Sequence, residues 1–319
     1  MGAADSRLAK AAVIRHLQPR PGLLQRLLRA VLRGTLRLLF KRLVRPPVSL
    51  AWQRRIVAGL AQSNRPASSV RFVAEHGNGV PLEIVRAGPA PTASVVLYLH
   101  GGAYCLGSPR THRSLTSRLA LQGCADVVVP DYRLAPEHPY PAALDDALAT
   151  YRWLLSRGYD PASIILAGDS AGGGLALALA LRLRELALPQ PARLLLLSPW
   201  VDLTFGGDSI RQLRDRDPML AIDWIRHGAE LYRGRRPASD PGCSPLLANL
   251  AGLPPMLIQV GSDEVLLDDA RRLAQRVGSV GGAVELEIYD GMWHVFQLHA
   301  GLLATADAAL VALAASVRG

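Results

Sequence analysis

The sequence predicts an α/β fold built on a mostly parallel sheet, and three observations carry that prediction. Beyond residue 70, short apolar runs alternate with helix-period segments, the pattern of repeated strand–helix–strand units. One run, 163–167, leads straight into Gly168-Asp169-Ser170-Ala171-Gly172 and then into a segment reaching Leu188 that is apolar nearly all round. Strand, sharp turn and buried helix are therefore contiguous. Finally, Asp263 and His294 follow Ser170 in chain order, each just past another strand-like run.

Taken in order, residues 22–44 come first. At 100° per residue, Arg26, Arg29, Arg33, Arg37 and Lys41 fall within an arc of about 120°, with Leu24, Leu27, Leu28, Val31, Leu38 and Leu39 mostly opposite. This is an amphipathic helix, opened by Pro21-Gly22 and stopped by Pro46-Pro47. The expected placement is leucines on the protein body and arginines in water; the alternative is leucines entering an anionic membrane surface. A second helical pattern covers 50–62. Residues 70–76 and 80–86 read as a hairpin turned by Gly77-Asn78-Gly79. Strands follow at 94–99, 125–130, 163–167, 193–197, 255–260 and 283–289, for an eight-stranded sheet. Helices are expected near 111–122, 142–156, 172–188, 267–278 and 302–317. The stretch 202–253, with a helix-like 219–231, interrupts the alternation. It is expected to join an N-terminal helical segment, 1–69, as a cap on a catalytic domain spanning 70–319, over the sheet edge where ligands bind in such folds.

Composition narrows the function. The 319 residues are 50% apolar, enough for a sizeable core. Cys105, Cys124 and Cys243 are odd in number and widely spaced, so neither a disulfide framework nor a zinc site is indicated. No signal-peptide pattern and no long uncharged apolar run is visible, so the expectation is cytoplasmic. The net charge of +10 is concentrated at one end: residues 1–60 carry 13 Lys and Arg against one acid, Asp5, leaving the remainder near −2. No nucleic-acid-reading motif accompanies that charge, so no nucleic acid is expected as partner.

The chemistry sits at the strand ends. Gly-x-Ser-x-Gly between a strand and a helix is a nucleophile elbow, in which a tight turn lifts the serine hydroxyl above the sheet. Acyl transfer then needs a base, an acid that orients it, and donors for the oxyanion. His294, in the loop after 283–289, is the expected base, with His299 as a rival. Asp263 is the expected acid, at the strand-to-loop junction after 255–260. Glu264, Asp268 and Asp269 are rivals, the last two standing where a helix starts and acids commonly cap it. The oxyanion donors are expected to be the N–H groups of Ala171 and of Gly101 and Gly102, from the loop His100-Gly101-Gly102-Ala103-Tyr104 after strand 94–99.

These segments resemble the hormone-sensitive-lipase-like esterases, the bacterial family IV esterases of the α/β-hydrolase superfamily. Residues 100–104, Asp131-Tyr132-Arg133-Leu134-Ala135-Pro136 and its continuation to Asp146, 168–173, Ser198-Pro199-Trp200-Val201-Asp202-Leu203, Gly261-Ser262-Asp263 and Met292-Trp293-His294-Val295-Phe296 agree in order and spacing, from about residue 80 onward. The resemblance implies an α/β-hydrolase fold with a helical cap. It also implies a Ser170, Asp263, His294 triad and an oxyanion hole of Gly101, Gly102 and Ala171. Ala103 departs from the third glycine many members carry, which implies less space near the reacting carbonyl. The implied activity is carboxylic ester hydrolysis on short to medium acyl chains through an acyl-enzyme, with no cofactor and no metal. Tyr104, Met219, Trp224 and Ile225 are expected to bind the substrate, a small ester. An amidase or lactonase, a membrane-surface lipid esterase and a non-catalytic binding relative are the alternatives; a peripheral membrane contact through the basic helix and a homodimer stay open.

Overall fold

The computed structural model describes residues 12–88 and 91–318, so the first eleven residues of the expected N-terminal segment lie outside it. Among the described residues the sheet has nine strands: β1 (Val13–Leu17), β2 (Arg71–Gly77), β3 (Val80–Arg86), β4 (Val95–Leu99), β5 (Asp126–Pro130), β6 (Ile164–Asp169), β7 (Arg193–Leu197), β8 (Met256–Gly261) and β9 (Val284–Tyr289). Their order is β1-β9-β8-β7-β6-β4-β5-β3-β2. The hairpin β2–β3 and the β3–β5 pair are antiparallel, while all other neighbours are parallel. The carboxyl ends of β4, β6, β7, β8 and β9 therefore open at one edge, where the loops that carry the chemistry converge.

The ninth strand corrects the eight-stranded expectation. Val13–Leu17 pairs in parallel with β9, from Val13 opposite Glu285 to Leu17 opposite Tyr289. It is an exposed edge strand, so its side chains give no core-facing alternation to read. The segment 1–69 is thus not purely helical.

The α-helices of the described residues are α1 (Leu23–Phe40), α2 (Leu50–Ala61), α3 (Pro109–Gly123), α4 (Ala142–Ser156), α5 (Ala171–Glu185), α6 (Ser209–Gln212), α7 (Ile222–Arg233), α8 (Leu267–Ser279) and α9 (Ala304–Arg318). Alternate residues of each central strand feed two cores. Leu97 and Leu99 of β4 join Leu148, Leu175, Leu179 and Leu273 from α4, α5 and α8 on one face. Val96 and Tyr98 join Leu115, Leu119, Leu310 and Leu313 from α3 and α9 on the other. With about 2 kcal/mol from each fully buried leucine, this period-2 division holds the sheet between two helical layers. Helix α5 is buried from Ala171 through Leu181, as its all-round apolar sequence requires.

Two segments lie beside the carboxyl edge: α1–α2, and residues 202–253 with α6 and α7. They are joined to each other. Trp224 Nε1 donates to Gln53 Oε1 at 2.6 Å, Lys41 Nζ donates to the carbonyls of Arg214 at 2.8 Å and Leu220 at 2.9 Å, and Arg45 pairs with Asp223.

The orientation of α1 reverses the expected one. Arg33 donates to the Arg216 carbonyl at 2.6 Å and to Asp263 Oδ2 at 2.7 Å. Arg37 donates to the Asp215 carbonyl. The basic row is therefore turned onto the body, while Leu23, Leu24, Leu27, Val31 and Leu38 are exposed. Carbonyls and a buried carboxylate offer the arginines directional partners, and Leu28, Leu32, Leu36 and Phe40 supply the apolar contact beneath.

Candidate active site

Ser170 stands between β6 and α5 with φ 53° and ψ −123°, a strained backbone that lifts its side chain off the sheet edge. The strain is held by neighbours: Ser170 N–H donates to Leu197 O at 2.8 Å, and its own carbonyl accepts from Trp200 N–H at 2.9 Å. A Cβ on Gly172 would overlap the Leu99 carbonyl, which is why the turn needs glycine there.

Ser170 Oγ lies 2.9 Å from His294 Nε2. On the other side of the ring, His294 Nδ1 is 3.2 Å from Glu264 Oε1. Glu264 is fully buried, and its Oε2 accepts from Ser198 Oγ at 2.8 Å and from Gly261 N–H at 3.0 Å. The carboxylate is thus fixed by donors on one oxygen and presents the other to the imidazole. Burial is the largest influence on His294 and opposes its protonation. The hydrogen bond that Glu264 accepts and its charge, with Asp217 and Asp169 farther off, together outweigh burial and hold the imidazole above its ordinary pKa.

Asp263 does not meet His294. Its carboxylate is taken by Arg33 of α1, at 2.7 Å, and by Arg216. Consecutive residues on this loop point to opposite sides, and the side facing the imidazole belongs to Glu264, so the expectation of Asp263 as the orienting acid is corrected. Asp268 and Asp269 do not cap α8, whose start carries no side-chain cap; they hold neighbouring segments instead, Asp268 accepting from Ser209 N–H at 2.8 Å and Asp269 from Val201 and Asp202 N–H at 3.0 Å each. His299 packs edge-on against Trp293, with ring centroids 5.7 Å apart, and makes no contact with Ser170.

The glycine loop brings a second correction. Gly101 N–H is already spent on Asp169 Oδ1 at 3.0 Å, so it cannot also serve an oxyanion. Asp169 anchors the whole loop, since Oδ1 also accepts from Tyr98 OH at 2.8 Å and its carboxylate pairs with buried His112 at 3.3 Å. Burial resists ionising Asp169, but His112 and Tyr98 overcome it and leave its carboxyl below the usual range. His100 stacks on Tyr132 at 4.2 Å between centroids, and burial beside His112 lowers its pKa to about 3, so it is a neutral packing group. A Cβ on Gly101 would overlap Asp169 Oδ2, so this position must stay glycine. One and two residues on, Gly102 (φ 124°) and Ala103 (φ 51°) line the same cavity as Ser170 and His294. Gly102, Ala103 and Ala171 thus present the backbone at which an oxyanion hole can form.

The cavity beside Ser170 measures about 120 Å³ and is mainly apolar. Phe40, Val44 and Val57 wall it from α1, α2 and their connection, while Met219, Trp224 and Ile225 do so from the 202–253 stretch. The expected trio Met219, Trp224 and Ile225 therefore borders the site. Tyr104 does not: it is 2% exposed and stacked flat on Tyr232, with ring centroids 3.5 Å apart. Its position in the glycine loop suggested a lining role, but φ 60° turns it into the core. Sequence reasoning also missed Ser198 as a partner of the acid. The one available signal was its place directly after β7, at the same sheet edge.

A serine, an imidazole and a carboxylate in hydrogen-bonded series, mounted on a strand–turn–helix elbow of a parallel sheet, define a serine hydrolase of the α/β-hydrolase class. Comparison with known proteins places it further. Residues 96–298 match the alpha/beta hydrolase fold family. The chain is 41% identical over 237 residues to an esterase of Acinetobacter venetianus (strain RAG-1), covering 74% of this chain and 78% of that protein. It is 45% identical over 201 residues to an acetyl-hydrolase of Streptomyces hygroscopicus, covering 63% of this chain and 67% of that one. The crystal structure of an esterase from the bacterial hormone-sensitive lipase family superposes with a TM-score of 0.87 at 38% identity, over 94% of this chain and 99% of that one. The chain belongs to the hormone-sensitive-lipase-like, bacterial family IV esterases, and it is a carboxylic ester hydrolase.

Proposed function

We propose that the protein hydrolyses esters of short to medium acyl chains through an acyl-Ser170 intermediate, with His294 as general base and acid and Glu264 as the group that orients it. The observation that carries this reading is the continuous series Ser170 Oγ, His294, Glu264 at 2.9 and 3.2 Å. His294 Nε2 takes the serine proton as Oγ attacks the ester carbonyl, then passes it to the departing alcohol. Water enters by the same route and releases the acid. Glu264 keeps the proton on Nδ1, leaving the Nε2 lone pair toward Ser170, and it stabilises the imidazolium formed in passing. Backbone N–H groups of Gly102, Ala103 and Ala171 receive the developing oxyanion.

The size of the cavity supports a short acyl group, since an apolar cavity of about 150 Å³ takes a molecule the size of benzene. The similarity to an acetyl-hydrolase points the same way. The test is pre-steady-state hydrolysis of p-nitrophenyl acetate and butyrate. A burst of p-nitrophenol equal to the enzyme concentration, an acetyl adduct on Ser170 by mass spectrometry, and loss of both in Ser170→Ala are expected. An enzyme that turns over without labelling Ser170 overturns the mechanism.

A further inference from the structure

We propose that the outward face of α1 docks the protein on an anionic lipid surface. On this helix Leu23, Leu24, Leu27, Val31 and Leu38 are 57–77% exposed. At 100° per residue they lie on one arc of about 100° on which α1 carries no charge. This is the reverse of a water-facing helix side: the polar row is turned inward onto the body, and the aliphatic row outward.

Charge selects the occupant. Residues 12–74 contain no acid at all. Arg20 precedes the helix, Arg26 stands in its first turn and Arg42 follows it, all three exposed. Exposed Trp52 of α2 carries Arg55 over its ring at 5.2 Å. A second copy of the chain meeting this face about a two-fold axis would bring like charges together. Anionic headgroups would instead meet the arginines while the leucines enter the acyl boundary, the arrangement by which interfacial helices bind. The carboxyl end of the same helix puts Phe40 into the wall of the Ser170 cavity, so docking by α1 would hold that cavity near esters partitioned into the surface.

The experiment is co-sedimentation with vesicles of phosphatidylcholine alone or mixed with phosphatidylglycerol, across a salt series, using the full chain and its Ser170→Ala form. Both should bind phosphatidylglycerol vesicles on the order of tenfold more tightly than neutral ones, with binding weakening as salt rises. Leu24→Gln/Leu27→Gln/Val31→Gln should lose roughly tenfold or more in binding while hydrolysing soluble p-nitrophenyl acetate within about twofold of the parent. Arg20→Glu/Arg42→Glu should lose the preference for anionic vesicles. Wild-type protein that binds neither vesicle, or a triple variant that binds as the parent does, overturns the proposal. So does a concentration-dependent dimer that the triple variant dissolves while vesicles are ignored. Because Ser170→Ala reads binding without turnover, failure of the hydrolytic reading would leave this result interpretable.

Discussion

Replacing Glu264 with Gln changes one atom in the relay and little in its shape. The amide oxygen should keep the Oε2 position, because Ser198 Oγ and Gly261 N–H both donate there, at 2.8 and 3.0 Å. The new NH₂ then points at His294 Nδ1 across 3.2 Å. Only an unprotonated Nδ1 can accept it, so the ring proton moves to Nε2, 2.9 Å from Ser170 Oγ. The lone pair that should remove the serine proton is gone. The corresponding change in a chymotrypsin-type triad costs about 10⁴ in kcat, equivalent to about 5.4 kcal/mol of barrier. Asp263→Asn is the matched control. It weakens the pairs to Arg33 and Arg216, both partly exposed, so a loss of about 1 kcal/mol of stability is expected with kcat within several-fold of the parent. Steady-state hydrolysis of p-nitrophenyl butyrate and thermal melting of both variants provide the readout. A Glu264→Gln enzyme that keeps more than a tenth of parental turnover, beside an Asp263→Asn enzyme that collapses, refutes the reasoning.

Other consequences are open to measurement. The kcat/KM profile should rise with pH as His294 loses its proton, with its midpoint above the ordinary histidine value of about 6.5 because burial is outweighed by Glu264 together with Asp217 and Asp169. By linkage, the stability this raised pKa contributes is fully present below about pH 6.5 and is lost as pH rises through the folded-state value; unfolding titrations should show that slope, and Glu264→Gln should flatten it. Gly101→Ala should cost at least about 100-fold in kcat, because its Cβ would overlap Asp169 and displace the loop carrying Gly102 and Ala103; unchanged turnover would remove Asp169 from the loop's support. Phe40→Ala enlarges the cavity wall, so kcat/KM should shift toward longer acyl chains across a panel from acetate to octanoate, while Ser170 labelling by a short ester persists.

The sequence by itself determined the parts of this protein that depend on local order. A strand, a glycine-flanked serine and an all-apolar helix in succession can fold in few ways, so the position of Ser170 at the sheet edge was legible, as were most sheet strands and the expectation that His294 would reach it. What tertiary structure alone decided were choices between neighbours. Asp263 and Glu264 are adjacent acids on one loop, and only the location of the imidazole on one side and of Arg33 and Arg216 on the other assigns them. Gly101 and Ala103 both offer a backbone N–H, and only Asp169, brought in from β6, removes the first from use. The strand Val13–Leu17 exists because β9 has a free edge, which no property of those five residues announces. Periodicity revealed two faces on α1 but not which one turns inward. That was fixed by the carboxylate of Asp263 and the carbonyls of residues 214–216, acceptors 173 to 230 residues away that give the basic side chains directional bonds a bare apolar surface could not.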